Sequence, residues 1–136
     1  MKKLLIIMSV ILTMFVYAKA QKAEFLYFKA DLACCQAKSC NTLETDVKAL
    51  IEKNYPNGEV VFKTVKISDP ANKELVDRYQ AKSQTCVLIV KKKKSDIYYD
   101  MSDLVKKYLV AQPDDKVVAG NNLILEIQKD LVRKKK

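Results

Sequence analysis

The feature that most constrains this chain is a cysteine-rich stretch, residues 33–40, between an apolar run at residues 25–28 and a helix-patterned segment at residues 43–51. The apolar run predicts a buried strand, and the apolar residues after the cysteines recur at the spacing of a helix with one buried face. Cysteines between a strand and a helix start lie where the helix N-terminus stabilises a thiolate. The stretch therefore predicts an α/β domain organised around a cysteine-bearing turn at residues 29–37.

The first twenty residues have the pattern of a secretory signal peptide. Lys2 and Lys3 form a positive n-region, residues 4–17 form an apolar h-region, and residues 18–20 form an A-x-A cleavage site. The h-region is shorter than the ~20 residues that span a bilayer, so we expect cleavage after Ala20 rather than an uncleaved anchor. The predicted product is an exported protein, periplasmic or secreted, with no stable membrane span after cleavage and one domain at residues 21–136.

Export determines how the charge and the cysteines are interpreted. The whole chain carries a formal net charge of +9. A basic exported domain meets acidic surfaces rather than nucleic acid. The simpler explanation of the positive charge is a lysine-rich composition that favours solubility. An oxidising compartment and an even number of cysteines permit disulfides. Histidine is absent, which excludes Cys-His and Ser-His catalysis and requires any metal site to be rich in thiolates.

The rest of the chain predicts elements in the order β-α-β-α-β-β-α, that is, a four-stranded mixed sheet with helices on both faces. Gly120 and the two asparagines after it are a place where the last helix could break. The lysine run at residues 91–94 is either a polyanion-binding patch or, more simply, a solvated hairpin end that protects a strand edge. We expect strands at residues 24–28, 60–67, 85–90 and 96–99, helices from Ser39, after Asp69, over residues 103–109 and from Pro113, and an inward face of the last helix formed by Val117, Ile124, Ile127 and Leu131.

This order, with cysteines at the first strand-to-helix turn, resembles the thioredoxin fold. Residues 79–90 match the family's segment of tyrosine, loop, cis-proline and apolar strand without gaps, and Thr85 takes the position of the cis-proline. Residues 40–44 resemble the second cysteine of the family's C-x-x-C motif and the helix that follows it. More narrowly, the chain is similar to small exported bacterial thioredoxin-like proteins catalogued as nitrophenyl-compound nitroreductase subunits (the ArsF family), through its aromatic first strand and residues 40–44, 67–68 and 112–115.

The chain departs from the thioredoxin pattern at two positions. In register, the family's first cysteine corresponds to Ala37, so that the thiols available to pair with Cys40 are Cys34 and Cys35, at C-x5-C and C-x4-C spacing. Thr85 replaces a proline that, in the family, shapes the substrate groove and keeps metals away from the thiols. The resemblance implies that Thr85 and Cys86 line this groove and that Cys86 lies close to Cys40.

Three functions remain open at this point. The first is a thiol-disulfide redox protein, enzymatic if it turns over, in which Cys40 pairs with Cys35 or, second to it, Cys34, and acts on a protein thiol or disulfide. The second is a non-catalytic module that binds a soft metal or metalloid through Cys34, Cys35, Cys40 and Cys86. The third is an inert domain with a structural disulfide, in which Cys86 is only a small buried residue. We expect a monomer. We also expect no cofactor, because the sequence has no phosphate-binding glycine pattern.

Overall fold

The structure, a computed structural model, describes residues 21–31 and 34–133, with the backbone alone over residues 34–40. The predicted signal peptide at residues 1–20 and the last three lysines lie outside the described residues. The elements are β1 (Ala23–Lys29), α1 (Cys34–Asn54), β2 (Val60–Lys66), a 3-10 turn (Pro70–Asn72) leading into α2 (Lys73–Arg78), β3 (Cys86–Val90), β4 (Ile97–Asp100), α3 (Ser102–Val110) and α4 (Pro113–Val132).

The strands form one mixed sheet in the order β2-β1-β3-β4. The central strand β1 is parallel to β2 and antiparallel to β3, and β4 returns antiparallel to β3. The predicted fold class, α/β with a thioredoxin-like arrangement of four strands and helices on both faces, is confirmed. Helices α3 and α4 together occupy the last helical position of the predicted order.

The central strand is apolar throughout because both of its faces are covered. Successive side chains of a strand point to opposite faces. Phe25 and Tyr27 pack in the core cluster that includes residues of α1, α3 and α4, whereas Leu26 and Phe28 pack in the cluster that includes side chains of α2. All of these core residues lie between Ala23 and Ile127, so a chain that begins at Gln21 contains both core clusters and the whole sheet.

Helix α1 buries the face that its spacing predicts. Leu43, Val47 and Ile51 lie one turn apart and are almost completely buried against the sheet. The predicted start at Ser39 is wrong, however, because the helix begins at Cys34. Residues 36–38 are glutamine, alanine and lysine, which are good helix formers, and no glycine or proline separates the cysteines from the helix.

Two predictions about helix α4, a break at Gly120 and an inward position of Val117, are wrong. The helix continues through Gly120, which lies so close to α3 and α1 that an added Cβ would be 3.3 Å from Tyr108 Cε2 and 3.5 Å from Leu50 Cδ1. The glycine thus permits close approach of these helices instead of ending one. Val117, predicted to face inward, is 69% exposed. The buried face of the helix begins at Gly120 and is formed by Leu123, Ile124 and Ile127.

Within the described part of the chain, no helix has both the length and the apolarity of a membrane span.

Candidate functional site

Thr85, Cys86 and the start of α1 lie at one end of the sheet, which we call the cysteine end. It comprises the last residues of β1 and β2, the first residues of β3 and the start of α1. Cys86 pairs with Tyr27 in the β1–β3 register, near the point where β1 ends at Lys29. Asn41, the residue after Cys40, accepts a hydrogen bond from Lys29 Nζ at 2.7 Å, which holds the start of α1 beside the end of β1.

Cys34 and Cys35, which were predicted to lie in the turn before the helix, belong with Cys40 to the first two turns of α1. Cys34 and Cys35 are in the first turn, and Cys40 is in the second. The first backbone N–H groups of a helix have no intrahelical acceptor, and their partial positive charge acts mainly within the first turn. The backbone therefore favours a thiolate at Cys34 or Cys35 more than at Cys40. The sequence alone did not distinguish these positions.

The side chains of Cys34, Cys35 and Cys40 lie outside the described residues, so their predicted pairing stays a prediction. The helical backbone nevertheless sets a condition on it. A rise of 1.5 Å per residue separates Cys35 from Cys40 by roughly 7.5 Å along the axis, whereas a disulfide requires Cα atoms about 4.4–6.8 Å apart. Cys34 is one residue farther away. A disulfide to Cys40 thus requires the first turn of α1 to unwind.

The described cysteine, Cys86, is a core residue. Its side chain is completely buried with the apolar residues of the α1 face, and its Sγ lies 3.8 Å from the carbonyl oxygen of Gln84. Burial, with a smaller contribution from the Asp100 carboxylate, raises the pKa of the Cys86 thiol to about 12. A thiol of this pKa is protonated at neutral pH, which makes it a poor nucleophile and a poor metal ligand.

Among the described side chains, no group of three or more Cys, Asp or Glu residues is arranged to hold a metal ion. The predicted set of four thiolates includes three side chains outside that part of the chain, so this set is not tested. What the structure adds is that its fourth member, Cys86, is buried and protonated.

Thr85, which takes the position of the family's cis-proline, stabilises the turn before β3. Its hydroxyl accepts a hydrogen bond from Lys82 N at 3.0 Å, and its own N–H donates to Lys82 O at 3.0 Å. The carbonyl oxygen of Thr85 accepts a hydrogen bond from Phe28 N at 2.9 Å. The preceding residue, Gln84, has a φ of +68°, in the left-handed region. The threonine thus uses its polar groups within the turn and the sheet. A role for Thr85 and Cys86 in a substrate groove stays a prediction.

A polar network at the cysteine end was not predicted from the sequence. Lys29 Nζ donates to Asn41 Oδ1 at 2.7 Å and to Glu44 Oε2 at 2.9 Å, and Thr64 Oγ1 donates to Glu44 Oε1 at 2.7 Å. Burial opposes ionisation of Glu44, but the hydrogen bonds from Lys29 and Thr64 and the charge of Lys29 hold its pKa below the ordinary value. The network fastens α1 to β1 and β2 directly after its cysteines.

The signal for this network is present in the sequence but weak. A lysine ends an otherwise apolar strand, and an asparagine and a glutamate follow Cys40 at positions three residues apart, on one side of the helix. Without the docking of α1, nothing indicates that these side chains meet. A second contact at this end joins the segments after β1 and β2, where Ser68 Oγ donates to Asp31 Oδ2.

An open groove of about 520 Å³ lies between α3 and α4, lined by Leu104, Val118 and Leu125 and by the oppositely charged side chains of Lys107 and Glu126. It contains none of the predicted site residues.

Twelve chains of solved structures are similar to this chain, and two of them follow below. No family model matches the chain, and no curated protein is similar to it. The solution structure of a thioredoxin from Thermus thermophilus is 18% identical, over 79% of this chain and 75% of that one, with a TM-score of 0.48. The structure of a malarial protein is 24% identical, over 82% of this chain and 99% of that one, with a TM-score of 0.47. The narrower resemblance to nitroreductase subunits stays a prediction.

Proposed function

We propose that this protein is an exported thiol-disulfide redox protein whose reactive cysteines lie in the first two turns of α1. The observation that carries the proposal is the position of Cys34, Cys35 and Cys40 at the start of a helix that packs on the central strand. The N-terminus of this helix favours the thiolate form, and an exported domain works where disulfides persist.

The helix start at Cys34 supports a division of roles that the sequence left open. Cys35, or second to it Cys34, is the attacking thiol because it lies in the first turn, where the helix charge acts. Cys40, one turn later, is the resolving thiol.

The reaction runs through a mixed disulfide. The Cys35 thiolate attacks one sulfur of a partner protein's disulfide, the S–S bond breaks, and the leaving sulfur takes a proton from solvent. Cys40, deprotonated, then attacks the mixed disulfide, releases the partner's second sulfur as a thiol and forms the Cys35–Cys40 disulfide. Two electrons pass to the partner, and a thiol reductant restores the starting form. Since Cys35 and Cys40 are too far apart in a regular helix, the second step requires the first turn to open.

The properties of Cys86 favour this proposal over a cluster of four thiolates. A thiol with a pKa of about 12 costs roughly 7 kcal/mol to ionise at neutral pH. A metal site that includes Cys86 must offset this cost and must also reach a sulfur that is completely buried. A soft-metal site made by the other three cysteines remains as the alternative that the experiment must distinguish.

The decisive experiment combines disulfide mapping with an insulin-type disulfide reduction assay on Cys35→Ser, Cys40→Ser and, as a matched core control, Cys86→Ala. We expect the first two variants to lose the activity and the third to retain it at temperatures where it is folded. A reduction potential well below about −300 mV identifies a structural bridge and overturns the proposal. So does a protein with free thiols that fails to reduce insulin but takes up Zn²⁺ or As(III) in anaerobic titration.

A further inference from the structure

Two lysine-rich segments that are far apart in the sequence meet at the end of the sheet opposite the cysteines. Lys92 Nζ donates a hydrogen bond to the carbonyl oxygen of Leu131 at 2.8 Å, which holds the β3–β4 hairpin beside the C-terminal end of α4. Lys93 and Lys94 follow in the hairpin, and Arg133 follows in the helix end. In the sequence, three more lysines come directly after Arg133.

The start of β1 lies at the same end. Lys91 N donates to Lys22 O at 2.8 Å, which joins the hairpin to the residue before β1. The acidic side chains here are already engaged in ion pairs, which also take up part of the basic set. Glu24 contacts Lys63 at 2.8 Å and Lys91 at 3.2 Å, Glu59 contacts Lys22 at 2.6 Å, and Asp130 contacts Arg133 at 3.0 Å. Lys93 and Lys94 are exposed and form no ion pair with any described side chain. The set is basic overall, and we call it the basic end: Lys22, Lys91, Lys92, Lys93, Lys94 and Arg133.

The cysteine end carries the opposite pattern. β1 is seven residues long, so the two ends of the sheet are separated by roughly 20 Å. Several carboxylates lie at or beside the cysteine end, where they follow strand ends or face them. The lysines there are Lys29, which pairs with Glu44, and the exposed Lys66 and Lys82. The carboxylates are those of Asp31, Glu44, Asp69 and Asp100. The domain therefore presents its cysteines and its densest positive charge in opposite directions.

The position of the N-terminus indicates what the basic end meets. The apolar residues 4–17 end only a few residues before Lys22, so the predicted signal peptide joins the domain at the basic end. This placement rests on the proposed export: while residues 4–17 are in the membrane, before cleavage after Ala20, the basic end is the part of the domain nearest the lipid headgroups. We propose that the basic end binds the surface of a bilayer rich in anionic phospholipids, so that the cysteine end faces away from the membrane.

The expected strength of this contact follows from simple electrostatics. Each lysine or arginine close to an anionic bilayer strengthens binding by about fivefold. Because the charges are exposed, salt screens them, with a Debye length of ~10 Å at 0.1 M and ~3 Å at 1 M ionic strength. The binding is therefore peripheral, reversible and sensitive to salt, and it requires no membrane-spanning helix.

Vesicle sedimentation tests the proposal on the chain that begins at Gln21. The vesicles contain equal parts of phosphatidylglycerol and phosphatidylcholine, and vesicles of phosphatidylcholine alone are the lipid control. We compare Lys93→Gln/Lys94→Gln with the matched pair Lys66→Gln/Lys82→Gln, which removes the same charge at the cysteine end. The first pair is expected to weaken binding by about 30-fold, and the second to leave it within about twofold.

All four lysines are exposed, so both pairs should melt at the wild-type temperature, which confirms that the variants are folded. Phosphatidylglycerol-dependent binding that disappears at high salt and is lost only in the hairpin pair supports the proposal. No binding at low salt, equal binding to both kinds of vesicle, or equal losses in the two pairs overturns it. A short RNA that binds as tightly as the vesicles, with the same response to the variants, also overturns it in favour of a general polyanion site.

Discussion

Lys29 Nζ, at the end of the central strand, lies 2.9 Å from Glu44 Oε2, on the helix that begins with the cysteines. Both side chains are about one-quarter exposed, so the ion pair is less screened than one on the open surface. It joins α1 to β1 four residues after Cys40. The later part of the helix is thus held on the sheet, and opening of the first turn need not disturb the core.

Replacing Glu44 with glutamine is expected to lower the free energy of unfolding by up to about 1 kcal/mol near neutral pH. The pKa of Glu44 is lowered in the folded protein, so its contribution to stability is present above the ordinary value of 4.5 and is lost as the pH falls through the folded-state pKa. Urea titrations at neutral and acidic pH should show the difference between wild type and variant shrinking on acidification. Glu52→Gln, which removes an exposed partner of Lys48 on the same helix, is the control. An equal effect of both variants would contradict the prediction.

Replacing Gly120 with leucine is expected to destabilise the protein by about 1–3 kcal/mol. A Cβ at this position already lies 3.3 Å from Tyr108 Cε2, so a larger side chain must displace Tyr108 or separate α3 from α4. Asn121→Leu places the same side chain at the exposed neighbouring position and should leave the unfolding midpoint nearly unchanged. Thermal or urea denaturation measures both. A Gly120→Leu protein as stable as wild type would show that the helices do not pack this closely.

Cys86 is expected to resist thiol reagents in the folded protein. Its sulfur is buried and its pKa is raised to about 12, so almost no thiolate is present or accessible at mildly alkaline pH. The measurement uses a variant with Cys34, Cys35 and Cys40 all changed to serine, labelled with an aromatic disulfide reagent before and after denaturation. Labelling only after denaturation is the predicted result, and rapid labelling of the folded variant would refute the buried position.

Single-thiol variants should separate the first turn of α1 from the second. With Cys35 as the remaining cysteine of the stretch, the pH midpoint of alkylation is expected to lie below ~8.5, the value of a free cysteine, because of the helix N-terminus. With Cys40 alone, the midpoint should be closer to the ordinary value. Rates of iodoacetamide reaction over a range of pH give both midpoints. The reverse order would contradict the assignment of Cys35 as the attacking thiol.

Export with cleavage after Ala20 predicts a mature chain that begins at Gln21. Intact-mass measurement and N-terminal sequencing of protein recovered from the exported fraction should identify this terminus. β1 begins at Ala23, so cleavage there leaves the sheet complete. Lys2→Glu/Lys3→Glu, which reverses the charge of the n-region, should reduce export without changing the stability of the domain. A product retaining the apolar segment would instead indicate a membrane anchor.

The sequence alone determined the parts of the fold that depend on local pattern. The continuous apolar runs of β1 and β3 predicted strands buried on both faces, and both are buried. The one-turn spacing of Leu43, Val47 and Ile51 predicted the inner face of α1. Asp69 before Pro70 predicted a cap, and Asp69 Oδ1 accepts a hydrogen bond from Ala71 N at 2.9 Å. These signals depend on neighbours within a few residues, which is why they could be read without a structure.

Only the tertiary structure decided how these elements meet. The sequence did not predict that Gly120 packs against Tyr108, that Lys29 forms an ion pair with Glu44, or that Lys92 donates a hydrogen bond to the end of α4. Each contact joins residues at least 12 positions apart, and each depends on how a helix or hairpin docks on the sheet. Glycine and lysine have many local uses, so their type and spacing alone do not identify a distant partner. The sequence determined which elements form, and packing determined which side chains those elements bring together.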